Sequence, residues 1–312
     1  MTGGSKRFDC PIPPRLSPHA DAVQEWLTDR LARVDPTLER GTLDRLHRAG
    51  FARYAGRLYP DATEADLRTL AALFTWFFLV DDHCDSRSTP EDVHALREGV
   101  LRLLRVGPAS RHPGLTGRLR RILVDAWHVP RQRMPQRWRV RFSDAVAHHL
   151  SGVRREAANK AAGRLPTRAE YVPLRRATSA AYVSYALIEF ATGRVLPDAV
   201  YHHPLLVRVA ETANDLLSWF NDVVSLDRDR AGSGGHNLVL VTAHERAVSP
   251  EAAVALVVDE WQATMARFME LCAAVPSFGP GLDEAVAVHL AGVANSVRGT
   301  IDWSLESARY PT

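Results

Sequence analysis

The chain has 312 residues, 46% hydrophobic and 24% charged, with 39 basic side chains against 36 acidic ones. Those are the proportions of a folded globular protein, too balanced in charge for a nucleic-acid surface, which needs a concentrated basic stripe. Three scattered cysteines, Cys10, Cys84 and Cys272, argue against a disulfide framework or a zinc site and suit a reducing cytoplasm.

The N-terminal segment, 1–18, contains Pro11, Pro13, Pro14 and Pro18 and lacks the apolar run of a signal peptide. Beyond it, apolar residues three and four apart predict helices over 21–33, 63–85, 90–106, 135–158, 168–191, 204–228, 250–274 and 282–309. Glycine and proline punctuate the gaps at 107–108, 112–114, 163–166, 231–235 and 276–281. Pro90 after Thr89, and Thr167 with Glu170 three residues on, mark helix starts. The longest apolar run, 70–80, is interrupted by Thr75 and falls short of the roughly 20 residues that cross a bilayer. No alternating strand pattern, internal repeat or composition shift is present. The expectation is therefore an all-α protein, one domain over 1–312 with about ten helices and a core able to hold a ligand.

The segment 63–85 is the most informative. Leu70, Phe74, Phe77 and Phe78 recur at helical spacing, and the face they define then turns into Asp81, Asp82 and Asp85. Three carboxylates at a helix C-terminus repel one another and oppose the macrodipole, so they call for a cation. With no His or Cys on that face, a hard ion such as Mg²⁺, shared with a phosphate, is the expected guest. The apolar approach predicts that this face is interior.

A second polar stripe closes 204–228. Asn221, Ser225 and Asp229 are spaced by four and four, an amide, a hydroxyl and a carboxylate on one side, with Arg228 beside them. They form a three-oxygen site for another divalent ion, and the arginine is placed to hold a bridging anion. The glycines from Gly232 to Gly235 lack the lysine and preceding strand of a phosphate loop and read as a connector. The pairs His148-His149 and His202-His203 read as surface or cap residues, because neighbours in sequence point to different sides of a helix. The arginine-rich stretch 118–141 reads as a packed, solvated helix pair.

Together these strings resemble the bacterial-type class I terpene synthases. Asp81-Asp82-His83-Cys84-Asp85 matches that family's D-D-x-x-D motif, and 221–229 resembles N-D-x-x-S-x-x-(K/R)-E except in its last residue. Arg309-Tyr310 matches the family's terminal pair, and His236-Asn237-Leu238-Val239 is a further family-like string. The resemblance implies an antiparallel α-helical barrel around an aromatic-lined pocket, three Mg²⁺ ions, and an isoprenyl diphosphate substrate. It implies that Asp81 and Asp85 serve two ions with Asp82 beside them, and that Asn221, Ser225 and Asp229 hold the third. Arg228, Arg309 and Tyr310 then bind the diphosphate, joined by a sensing arginine 46 positions before Asn221, which is Arg175, with Arg176 its neighbour. Ser179 is the implied residue whose backbone carbonyl faces the substrate, and Phe77 and Phe78 lead the implied aromatic lining, with Phe74 and Trp303 next.

Two departures stand out. Asp229 replaces the usual Glu and reaches one methylene less far, and 178–181 has no glycine where the family's helix often breaks. The implied activity is cyclisation of farnesyl diphosphate to a terpene hydrocarbon or alcohol, with geranylgeranyl diphosphate as the alternative substrate. The segments 85–88 and 231–235, with Arg309 and Tyr310, are expected to close over it. A cytoplasmic protein without a nucleic-acid partner or a membrane span follows, and a homodimer is left open. A chain-elongating prenyl diphosphate synthase ranks behind, since it needs a second aspartate-rich motif, and a non-catalytic helical interaction protein is the alternative of another class.

Overall fold

In the computed structural model, residues 8–85, 88–232 and 236–307 are described. Among them the chain forms fifteen α-helices and, apart from one bridge between His112 and Leu115, no β-structure. In order these are α1 (Ala20–Val34), α2 (Arg40–Ala49), α3 (Phe51–Leu58), α4 (Glu64–Asp85), α5 (Pro90–Val106), α6 (Gly117–Arg133), α7 (Gln136–Ala161) and α8 (Arg168–Thr178). There follow α9 (Ala181–Thr192), α10 (Asp198–Tyr201), α11 (Pro204–Val224), α12 (Leu226–Gly232), α13 (Leu238–Arg246), α14 (Pro250–Ala273) and α15 (Asp283–Glu306).

The predicted starts form as capping boxes. The Thr89 hydroxyl accepts from the Asp92 amide at the head of α5, and Thr167 does the same with Glu170 at the head of α8. Two predicted helices are divided. The segment 168–191 breaks between α8 and α9, where Ala180 takes a left-handed backbone at φ 59°, and 204–228 breaks at Ser225 between α11 and α12. Periodicity missed both breaks because the apolar face continues through them. It also missed α2, α3 and α13, which are eight to ten residues long and too short to show a period.

The long helices pack as a barrel. Helix α3 lies against α4 and α15, α5 against α7, α7 against α8 and α9, and α11 against α14 and α15. Close approach is built into the sequence at Gly152 of α7, where an added Cβ would stand 2.6 Å from the Cβ of Ala177. That contact seats the end of α8 against the barrel wall. The N-terminal segment is strapped to the outside, with Phe8 edge-on to Phe220 and Trp261 and the Ile12 carbonyl accepting from Arg298 at 3.2 Å.

The arginine-rich stretch 118–141 spans α6 and the start of α7, and its charge is used internally. Arg118 and Arg121 both pair with the fully buried Asp35, at 2.9 and 2.6 Å. Burial alone would raise that carboxyl's pKa, but Thr37 and the two guanidiniums bring it down to about 2. Trp127, Trp138 and Phe142 stack beneath. No helix among the described residues is long and apolar enough to cross a membrane.

Candidate active site

One cavity of about 800 Å³ opens at the ends of α4 and α11 and runs down between α3, α4, α7, α8, α9, α11 and α15. Its size lies within the range of sites that enclose most of a small ligand. The lower wall is apolar and aromatic. Phe74, Phe77 and Phe78 of α4 face Tyr54 of α3 and Trp303 of α15. Trp303 stacks on Tyr54 with centroids 4.3 Å apart, and Phe78 lies 5.4 Å from Trp303 and stacks on Phe51 at 4.3 Å. The Trp303 indole N–H is bonded to the Ala49 carbonyl at 2.8 Å, so its ring is fixed in place.

The mouth is polar. Asp81 lines it on one side, and both Asp81 and Asp82 are exposed. The interior face predicted for the acids is therefore correct only up to Val80, where burial is complete; the carboxylates themselves stand on a wet rim. Asp85 ends α4; its side chain lies outside the described residues, as do Arg309, Tyr310 and the loop positions 86–87 and 233–235.

Opposite the rim, the end of α11 and its neighbours form a connected lattice. Arg175 of α8 donates from Nε to Asp222 Oδ1 at 2.9 Å and from Nη2 to Asn221 Oδ1 at 3.0 Å. Asp222, 2% exposed, also accepts from the Tyr171 hydroxyl at 2.6 Å and the Leu238 amide at 3.0 Å. Burial by itself would lower the Arg175 pKa, and the adjoining Asp222 carboxylate overrides it, so the guanidinium stays charged. The Ser225 hydroxyl donates to Asp229 Oδ2 at 2.6 Å, Asn237 Nδ2 reaches the same oxygen at 3.0 Å, and Arg228 reaches Oδ1 at 3.3 Å. Asn221, Asp222, Arg228 and Asp229 all line the cavity. Arg176, the neighbour of Arg175, turns the other way into a bidentate pair with Asp215 at 2.8 and 2.6 Å, and does not line the cavity.

Ser179 sits at the joint of α8 and α9 and lines the cavity with Thr178 and Ala180. His149 corrects the surface reading: it is 5% exposed, lines the cavity, and lies edge-on to Phe77 at 6.0 Å. Its Nδ1 faces the Ala177 carbonyl at 3.3 Å and so carries the proton, while burial depresses its pKa to about 4 and keeps the ring neutral. His148 and His202 are exposed and His203 caps α11, as read. Sequence reasoning missed Tyr54, His149, Tyr171 and the organising part of Asp222 and Asn237. A signal for His149 existed in Val153 and Ala157, four and eight residues on along one face.

The oxygen donors fit hard divalent ions. Asn221, Ser225 and Asp229 supply amide, hydroxyl and carboxylate oxygens on successive turns, with Ser225 and Asp229 already in contact. Among the described residues no three His, Cys, Asp or Glu side chains converge on one point.

A family model described as "Terpene synthase family 2, C-terminal metal binding" matches residues 72–267. The chain is 31% identical to a 10-epi-cubebol synthase of Sorangium cellulosum (strain So ce56), covering 96% of each. It is 30% identical to a (+)-T-muurolol synthase, described as cyclizing (2E,6E)-farnesyl diphosphate, of Roseiflexus castenholzii (strain DSM 13941 / HLO8), covering 97% of this chain and 93% of the other. Among solved structures, germacradien-4-ol synthase from Streptomyces citricolor superposes with a TM-score of 0.80 at 28% identity, covering 95% of this chain and 97% of that one. An α-eudesmol synthase superposes with a TM-score of 0.88 at 22% identity over 97% and 99% of the two chains, a likeness of fold.

Proposed function

The chain belongs to the class I terpene synthases of the bacterial type, metal-dependent cyclases of isoprenyl diphosphates, and from that premise we propose that its substrate is farnesyl diphosphate and its ions are three Mg²⁺. One observation carries the reading of the site: a charged Arg175, fixed between Asn221 and Asp222, stands over an aromatic cavity whose facing rim carries Asp81. Charge at the mouth and carbon below match the two ends of such a substrate. The relative whose name specifies farnesyl diphosphate supports the fifteen-carbon choice.

In this reading 1–312 acts as one catalytic unit. Asp81 and Asp85 would hold two ions with Asp82 alongside, and Asn221, Ser225 and Asp229 would hold the third. The chemistry such ions would supply there is stabilisation of the negative charge that gathers on the departing diphosphate. Arg175, Arg228, Arg309 and Tyr310 donate hydrogen bonds to that group, and Arg175, already held by Asn221 and Asp222, needs little reorientation when the C–O bond breaks. The Ser179 carbonyl points its dipole at the reacting end. Below, Phe77, Phe78 and Trp303 fold the chain and attract the migrating cation through their faces, worth up to about 2 kcal/mol each in a dry site. The neutral His149 adds no competing positive charge to that chamber. Three free cysteines suit a reducing cytoplasm.

The test is incubation of the purified protein with geranyl, farnesyl or geranylgeranyl diphosphate and Mg²⁺, followed by gas chromatography of the extract and assay of released pyrophosphate. Cyclic fifteen-carbon products from farnesyl diphosphate are expected. Absence of both terpene and pyrophosphate with all three substrates would sink the reading.

A further inference from the structure

We propose that Asn214 is a positioning residue: it fixes the joint between α8 and α9, and through that joint the aim of Arg175 and the upper wall of the chamber. The proposal rests on the cyclase reading above.

The joint needs an external restraint. Ser179 still has helical angles, but Ala180 follows at φ 59° and ψ 10°, a left-handed conformation that residues with a Cβ avoid and that glycine ordinarily supplies. Such a backbone persists only where its surroundings over-determine it. Asn214, with no exposed surface, provides the restraint from α11. Its Nδ2 donates to the Arg176 carbonyl at 2.9 Å, taking up an acceptor in the last turn of α8. Its Oδ1 accepts from the Ser179 hydroxyl at 2.8 Å and from Ser218 at 3.0 Å. The Ser179 oxygen in turn accepts from the Ala181 amide at 3.2 Å, the first residue of α9. One amide side chain thus ties the end of one helix and the start of the next, and its two ends are distinguished by their partners, a carbonyl on the nitrogen and hydroxyls on the oxygen.

Position along α11 gives this clamp its consequence. Asn214 lies seven residues, two helical turns, before Asn221 on the same side. The end of α8 is therefore pinned to α11 at three points: at the mouth by Arg175 on Asn221 and Asp222, on the outer side by Arg176 on Asp215, and at the joint, where the backbone itself is held, by Asn214 on the Arg176 carbonyl and Ser179. Thr178, Ser179 and Ala180 face the cavity whereas Asn214 does not, so Asn214 acts through them.

The experiment compares wild type with Asn214→Leu, which keeps the branching at Cγ with somewhat more volume and removes all three bonds, and with Asn214→Leu combined with Ala180→Gly. Folding is followed by circular dichroism, and kcat, KM and the product mixture by steady-state assay and gas chromatography. Misplacing reacting groups by a fraction of an ångström should lower kcat on the order of 10- to 100-fold while KM moves less than about threefold, with products shifting toward acyclic and early-terminated terpenes. Glycine adopts the left-handed joint without the clamp, so the double variant should recover kcat to within roughly fivefold of wild type and restore the cyclic product. A stabilising effect alone would restore folded protein and leave the product ratio altered. If Asn214→Leu does not fold, Ser179→Ala removes the clamp's partner at a half-buried site and should give the same product shift. Wild-type kinetics and products in the single variants, or no recovery with glycine, overturn the proposal. A wild-type protein inert toward every diphosphate overturns instead the reading on which it stands.

Discussion

At the end of α4, Asp81 and Asp82 stand in solvent on a helix whose preceding turns are mostly buried; at the end of α11, Asp222 is 2% exposed and bonded to Arg175, Tyr171 and the Leu238 amide. Both strings are acidic and both face one mouth. The first is a rim whose carboxylates are accessible to ions, and its scaffolding is the apolar stripe beneath. The second is a lattice in which one buried carboxylate organises the donors around it. Function at the rim should therefore be separable from stability, and function at the lattice should not.

The largest effect is expected at Asp222. Asp222→Ala leaves the Arg175 guanidinium buried without its counterion and strands Tyr171, which costs about 3–5 kcal/mol in comparable buried pairs. Urea denaturation should show a loss of that size together with loss of turnover. Replacing both partners, Asp222→Leu with Arg175→Met, should return most of the stability and none of the activity. A stable, active Asp222→Ala protein would erase the distinction between the two sides.

On the rim, Asp81→Ala should lower kcat on the order of 10²- to 10³-fold, the scale for removing one preorganised electrostatic contact. Its unfolding free energy should stay within about 0.5 kcal/mol of wild type, as for other exposed positions. Pyrophosphate release and denaturation measured on the same preparation check both halves.

The contrast also explains how much could be read from the residues alone. The all-α class, the aromatic approach to the aspartates and the α11 stripe carry the 3.6-residue period and were legible. Arg175 was singled out only by the family resemblance, through the separation that family keeps before its motif Asn. The choice between Arg175 and Arg176 was not settled by periodicity; the structure sends one to Asn221 and the other to Asp215. The break at Ala180 carries no glycine and was hidden, because its cause is a hydrogen bond from Asn214, 34 residues away in sequence. Tyr54 was missed for the same reason: which face of a helix meets a cavity is decided by partners distant in sequence.

Acid should separate the regions further. Burial holds the folded His149 pKa at about 4 against an ordinary 6.5, so as pH falls the unfolded chain takes up this proton first. The contribution of neutral His149 is full above pH 6.5 and drains away toward pH 4. By pH 5 the loss is on the order of 2 kcal/mol. His149→Gln should therefore flatten the fall in stability between pH 7 and pH 5, whatever its effect at pH 7. Parallel pH profiles for the two proteins would show that the imidazole is not buried in the wall as described.

The smallest effect is expected inside the same motif. Asp227 lies between Asp222 and Asp229 in sequence, yet its side chain is 98% exposed and its ionic neighbour is Arg230 at 3.8 Å. An exposed pair of that length contributes little, about 0–1 kcal/mol. Asp227→Ala should change turnover by less than about twofold and stability by less than roughly 0.5 kcal/mol. The three carboxylates differ in register and not in chemistry: Asp222 faces the core, the Asp229 side chain is 15% exposed at the cavity edge, and Asp227 faces water. If Asp227→Ala loses activity as deeply as Asp81→Ala, acidity along the whole string would matter more than its placement on the helix, and the division between rim and lattice would have to be redrawn around net charge at the mouth.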